Sequence, residues 1–306
     1  MSDIVTLRSG AARLAVAPFL GGSVLGYWWE ADGGRHDWLV ASREAGIAGF
    51  PDLRLASFPL VPYSNRIRDG RFTFRGRTIT EMPAPGMAHA LHGHGWRLPW
   101  HITEQYGDRL TIEYEREPDP LREGWPWRYR AWQHFALTPQ ALTLTMGIES
   151  RSVAAMPAGL GHHPYFPRTG QSRITANVGA ICWPEAGQLP VERIAPPPGA
   201  DPRQGVIPAK VRLDHAYAGW DGSAVIEWPE RRARLAMTAD PALATLVIFS
   251  PPDAGFFCVE PVSHCIDAFN LADGGMSDTG MRVLEPGETW QATVRFTPEM
   301  GYAGSR

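Results

Sequence analysis

The sequence predicts an all-β fold of the sandwich class, and three observations carry that expectation. Apolar and polar residues alternate with period two in several separate stretches. No stretch sustains a convincing helical period beyond about two turns. The 28 prolines and 32 glycines punctuate many short candidate strands, the pattern of a β-sandwich.

Along the chain, residues 39–48 read as one short helix. "RDGRFTFRGRTI" places Asp69-Gly70 before the alternating Phe72 and Phe74, and Gly76 before another short run, which is a hairpin signal. In "LTIEYE", Leu110, Ile112 and Tyr114 share one face, while Thr111, Glu113 and Glu115 share the other. "ALTLTMGIES" repeats the pattern with Leu142, Leu144, Met146 and Ile148, and "TWQATVRF" with Trp290, Ala292, Val294 and Phe296. These are half-buried strands. "TLVIFS" (245–250) is continuously apolar and reads as a strand buried on both faces. The stretch 183–210 is rich in proline and has no clear period; with alternating strands on both sides it reads as a long excursion from one domain. With no internal repeat and no composition shift, one domain covering residues 1–306 is the expectation.

Composition narrows the function classes. The 29 basic and 32 acidic residues give a net charge of -3, with no basic block to follow a phosphate backbone, so nucleic acid is not an expected partner. No run approaches the roughly 18 apolar residues that span a bilayer, and the N-terminus lacks a cationic start followed by an apolar core. Cys182, Cys258 and Cys265 show neither C-x-x-C spacing nor a disulfide framework, which fits a reducing cytoplasm. The 12 tryptophans suit sugar stacking as well as ordinary core filling.

Four stretches could carry chemistry. In "FPLVPYSNRIRDGRF" (58–72), Asn65 and Arg66 sit between a proline-broken segment and the hairpin. Arg66 reads either as a solvated loop arginine or, turned inward, as a planar fork for hydroxyls or a carboxylate. In "HALHGHGW" (89–96), His92 and His94 would share a face if they lay on one strand, as in metal-binding β-barrels, although Gly93 and Gly95 weaken that strand. In "GLGHHPYF" (159–166), His162 and His163 point to opposite sides of an extended chain, so only one enters a given pocket. Pro164 favours the extended form, and a buried structural histidine is the alternative reading. In "FFCVEPVSHCIDAFN" (256–270), an apolar run delivers Glu260. Burying a carboxylate is costly unless something pairs with it or uses it, which makes Glu260 the leading catalytic candidate. Cys258 and Cys265 flank it and read as packing.

Together these stretches resemble the aldose 1-epimerases, or mutarotases. The resemblance rests on "NRIRDGRFTF", on "LHG" at 91–93, on "HPYF" at 163–166, on "LDHAYAGWDG" at 213–222 and on "EPVSHCIDAFN" at 260–270, five motifs in the family's order over most of the chain. It implies a large antiparallel β-sandwich of the galactose mutarotase-like supersandwich type, with a sugar cleft. It implies catalytic roles for Glu260 as base and His163 as acid. His92 is similar to the second active-site histidine, Arg66 beside Asn65 to a sugar-contacting arginine, and Asp214 to an aspartate that binds a sugar hydroxyl. His162 falls where the family often has an aromatic residue, and "LHGHGW" replaces the double glycine of some members.

The implied activity interconverts α and β anomers of a free aldose. It removes the anomeric hydroxyl proton, protonates the ring oxygen and opens the ring to the aldehyde, which needs one base, one acid and no metal or cofactor. With ordinary values of about 4.3 and 6.5, Glu260 is expected ionised and His163 near half protonated, helped by nearby carboxylates. The partner is a monosaccharide, and the chain a monomer or homodimer. Three rival readings stand beside this. One is a metal enzyme built on His92 and His94, and another a carbohydrate-binding protein without turnover. The third is a hexose-6-phosphate 1-epimerase whose anion site draws on Arg66, Arg68, Arg71 and Arg97.

Overall fold

The computed structural model describes residues 4–31, 34–41, 54–84, 86–118, 124–184 and 189–301. Two eight-stranded antiparallel sheets dominate the described residues. The first runs, in spatial order, through strands His101–Gln105, Arg109–Arg116, Tyr129–Leu137, Leu142–Ser150, Thr289–Met300, Ala233–Ala239, Ser223–Trp228 and Arg173–Ala176. The second runs through Pro190–Ile194, Ala180–Pro184, Leu213–Ala218, Thr245–Ser250, Phe256–Val262, Gly161–His162 and Pro59–Leu60, with Tyr165–Pro167 also paired to Phe256–Val262. A four-stranded N-terminal sheet, Val5–Ser9 to Gly34–Leu39, completes the main framework.

The period-two stretches became strands because one face of each is removed from water. Leu142, Leu144, Met146 and Ile148 are buried, and so are Trp290, Ala292, Val294 and Phe296 on the paired neighbour. Phe166 and Phe257 of the second sheet stack on each other at 5.8 Å, and Phe166 meets Phe296 of the first at 6.3 Å, so the two sheets share an aromatic core. The Trp228 indole, also in the first sheet, donates to the Pro167 carbonyl at 2.7 Å, which satisfies the polar end of a fully buried ring. Strand Thr245–Ser250 lies inside the second sheet between Leu213–Ala218 and Phe256–Val262, and its side chains are buried on both faces save for the half-buried Phe249, which accounts for its unbroken apolar run. Strands Arg71–Phe74 and Arg77–Thr80 form the expected hairpin, turning at Arg75-Gly76.

One expectation lies mostly outside the described residues, and one needs correction. Leu39 ends a strand, and the rest of the short helix expected over 39–48 lies outside the described residues from 42 onward. The stretch 183–210 has more regular structure than its sequence suggests: Ala180–Pro184 pairs with Pro190–Ile194 at the edge of the second sheet, and Pro202–Gln204 forms a 3-10 turn. Edge strands tolerate proline because one row of their backbone donors faces away from the ladder, so the prolines masked the strands without preventing them.

Candidate active site

Strand Phe256–Val262 supplies the floor of a cleft. Cys258 lies opposite both Phe249 and Tyr165, and Phe249 lies opposite Asp214, so these four side chains share one face of the sheet. Glu260, two residues beyond Cys258, is on that face as well. Tyr165, Asp214, Phe249 and Glu260 line a cavity of about 230 Å³ together with Phe58, Asn65, Arg66, Leu91, His92, Trp96 and His163. Glu260, His163, His92, Arg66, Asn65 and Asp214, the six residues to which the family resemblance gives roles, therefore meet in one place, although they come from five separate chain segments.

His163 is held by its own backbone and by its ring faces. Its N–H donates to the Phe58 carbonyl at 3.0 Å, and the Tyr165 N–H donates to the Ala56 carbonyl at 2.9 Å. The imidazole packs against Phe58 at 4.5 Å and Tyr165 at 4.8 Å, and those two rings lie 6.2 Å from each other. Its Nε2 stands 3.3 Å from Glu260 Oε1. His163 is 7% exposed and Glu260 only 2%.

This burial works against the charge states that ordinary solution values give. Loss of water pushes the Glu260 carboxyl well above its ordinary range, with the Asp214 carboxylate adding to the rise and Arg66 opposing it. Burial takes the His163 imidazole down to about 3. Both groups are driven toward their uncharged forms, the direction of a neutral pair that shares one proton. Ordinary solution values assume water that the aromatic walls exclude.

His92 is fixed by a reciprocal pair of bonds with Asn65. The Asn65 N–H donates to His92 Nδ1 at 3.0 Å, and the His92 N–H donates to the Asn65 carbonyl at 2.9 Å. Because Nδ1 accepts, the neutral ring carries its proton on Nε2 and acts there as a donor. Burial, followed by the neighbouring His163, Arg66 and Arg97, keeps the ring well below the usual imidazole value. Asn65 Oδ1 in turn accepts from the Arg66 N–H at 3.0 Å and from Arg66 Nη1 at 3.1 Å, and Arg66 Nη2 lies 3.3 Å from Asp214 Oδ2.

His92 and His94 do not lie on one strand and do not share a face. His92 has φ 62° and Gly93 φ 67°, so the chain turns at this point. Gly93 is required there, since a Cβ would come within 2.5 Å of the Val61 carbonyl oxygen. His94 turns to Tyr129 Oη at 3.1 Å and Glu81 Oε1 at 3.1 Å instead of facing the cleft. His162 is buried but does not line the cavity, as alternation around an extended chain requires. Of the four arginines considered for an anion site, only Arg66 lines the cavity. Arg68 pairs with Asp267 at 3.4 Å, Arg71 is exposed, and Arg97 lies over the Trp96 ring at 4.7 Å.

The apolar walls escaped the sequence reading. Tyr165 was within reach of it, because it follows His163 by two residues and period two puts both on one side. Phe58, Trp96 and Phe249 left no such signal; their convergence depends on which strands become neighbours.

The aldose 1-epimerase family model matches residues 3–297. The chain is 34% identical to the uncharacterized protein YphB of Escherichia coli K12, over 97% of this chain and 99% of that one. Among solved structures, a provisionally assigned aldose 1-epimerase of Escherichia coli K12 superposes with a TM-score of 0.85 at 29% identity, covering 98% of this chain and 100% of that one. A galactose mutarotase-like protein of Clostridium acetobutylicum gives a TM-score of 0.84 at 19% identity, over 98% of this chain and 96% of that one. With the family's sequence pattern matched over almost its whole length and its sandwich fold shared, this chain belongs to the aldose 1-epimerase family.

Proposed function

We propose that the protein is a mutarotase that interconverts the anomers of a free aldose, with Glu260 and His163 as its proton-transfer pair. The observation that carries this reading is their 3.3 Å contact in a cleft that also holds Arg66, Asp214 and His92. A binding protein has no need of a buried acid beside a buried base, and keeping the two together in an apolar wall costs stability.

The resting proton on Glu260 has a direct route to His163. One transfer across that contact leaves a carboxylate to take the proton from the anomeric hydroxyl and an imidazolium to protonate the ring oxygen. The imidazolium is favoured by the neighbouring π systems of Phe58 and Tyr165. The ring C–O bond then breaks, the aldehyde forms, and rotation about C1–C2 offers its other face. Closure runs the same transfers backwards, so protons balance within the pair and the sugar, and no redox group or metal is called for. His92 donates from Nε2 near the ring oxygen. Arg66 and Asp214, already braced against each other, hold sugar hydroxyls and keep the reacting atoms aligned. The aromatic walls offer stacking faces for the pyranose ring.

A free sugar is favoured over a sugar phosphate because only one of the four candidate arginines lines the cleft, and Asp214 offsets its charge. Anomer exchange followed by magnetisation-transfer NMR on galactose, glucose, arabinose and fucose tests the reading. Exchange that is catalysed by the parent and lost in Glu260→Gln is the expected result. No exchange on any free sugar, with turnover on a hexose 6-phosphate, refutes the free-aldose assignment; no turnover on either refutes the catalytic one.

A further inference from the structure

Beneath the cleft, and not among the residues that line it, lies a buried thiol that proton transfer does not use. Cys258 precedes Glu260 by two residues on the same face of the sheet and lies opposite Tyr165, the ring that stacks on His163. A sulfur of Cys258, a ring nitrogen of His163 and a carboxylate oxygen of Glu260 all fall within 4.8 Å of one another, and all three residues are buried. Two buried polar atoms of this group, His163 Nδ1 and Glu260 Oε2, have no hydrogen-bond partner among the described residues. Leaving such atoms unpaired is expensive.

We propose that Cys258, His163 and Glu260 form a site for a divalent cation of the zinc class, and that filling it switches the enzyme off. Thiolate, imidazole and carboxylate are the usual zinc donors, and three protein ligands with a fourth position open to a cavity is a common zinc arrangement. With bonds of about 2.0–2.3 Å, ligand atoms around a tetrahedral ion stand roughly 3.3–3.8 Å apart. The group therefore has to contract by about 1 Å, within the reach of side-chain rotation on a fixed backbone. Charge also favours the ion. Two anionic ligands cancel its charge, and the nearby Arg66 guanidinium is offset by Asp214 at 3.3 Å. Binding displaces the thiol proton of Cys258 and the carboxyl proton of Glu260 to solvent, while His163 contributes a lone pair, so no oxidant or reductant enters and affinity rises with pH. Inhibition follows because both members of the proton-transfer pair become ligands. That consequence rests on the proposed function; the binding itself does not.

Cobalt(II) added to the full-length protein reports binding without any need for turnover. The expected result is a thiolate-to-cobalt charge-transfer band that saturates at one ion per chain, disappears on addition of zinc, and is lost in Cys258→Ser. Zinc at the concentration that bleaches the band is expected to stop anomer exchange in the parent. Cys258→Ser should exchange at the parent rate without zinc and tolerate at least about tenfold more of it, since even outer partners of metal ligands change affinity 10–100-fold. Glu260→Gln, which keeps the sulfur, should weaken the band and guards against a serine variant that fails to fold. No band in the parent, or an undiminished band in Cys258→Ser, overturns the site. A band with exchange unaffected by zinc overturns the switch. A band in a protein that catalyses no exchange supports the site and refutes the catalytic reading.

Discussion

Acidification from pH 7 to 4 is expected to destabilise the fold through buried histidines, and His264→Gln is expected to remove a defined part of that loss. His264 Nε2 accepts from the Ser64 N–H at 3.0 Å, and its Nδ1 donates to the Cys265 carbonyl at 2.7 Å. Both ring nitrogens are thus committed in the neutral form, and a second proton breaks the bond to Ser64. Burial brings its value from 6.5 to about 4, with the Cys265 carbonyl opposing slightly. Unfolding returns the ring to water and to its ordinary value. Because the folded value is the lower one, the stabilising contribution is complete above pH 6.5. It is lost as pH falls toward 4, where the unfolded chain takes up a proton that the folded chain refuses. Over that window the loss is roughly 3 kcal/mol for this one residue. His162, brought to about 4 by burial alone, adds a similar loss. The two together approach the whole stability of many domains, about 5–15 kcal/mol. Urea unfolding followed by tryptophan fluorescence at a series of pH values measures it in parent and variant. His264→Gln should start less stable and lose roughly 3 kcal/mol less than the parent between pH 7 and 4. Parallel pH dependences in the two proteins would refute the argument, and His162→Gln tests the second contribution in the same way. Ser64 precedes Asn65 and Arg66, so acid release of this bond should also disorder the sugar side of the cleft.

Other outcomes follow from the same geometry. His163→Gln should slow anomer exchange about 100- to 10,000-fold while leaving the unfolding midpoint near that of the parent or higher; a loss under tenfold would remove His163 from the proton path. The kcat should be flat around pH 6.5, where an ordinary histidine titrates, because the pair keeps its single proton across that region; an inflection there in pH-jump kinetics would mean the imidazole has its ordinary value. Arg66→Lys should raise KM more than it lowers kcat, since a single ammonium cannot contact both Asn65 and Asp214 as the fork does; unchanged KM on the best aldose would argue against a sugar contact. Gly21→Ala should cost about 1–3 kcal/mol and weaken sugar binding, because Gly21 has φ +63° and a Cβ would come within 1.9 Å of the Trp96 carbonyl oxygen on the cavity wall; calorimetry showing no change in Tm would refute that.

The strands around 110–115, 141–150 and 289–296 were legible because burial of one face writes itself into the chain every second residue. The buried strand 245–250 was legible for the complementary reason, since a strand covered on both faces has no polar row. Glu260 stood out because a carboxylate after an apolar run needs a reason to be there. The neutral character of the pair was not legible, because it depends on Phe58 and Tyr165 covering a histidine whose acid partner lies 97 positions away in sequence. His92 and His94 show the same divide within three residues: on one strand their spacing would give them a common face, but the left-handed turn at His92 and Gly93 sends one to Asn65 and the other to Glu81. The sandwich class and the residue types of the site can be read along the chain, because alternation and local chemistry are properties of neighbours in sequence. Which side chains meet, and how far each is stripped of water, is set by folding, because contact and desolvation are properties of neighbours in space.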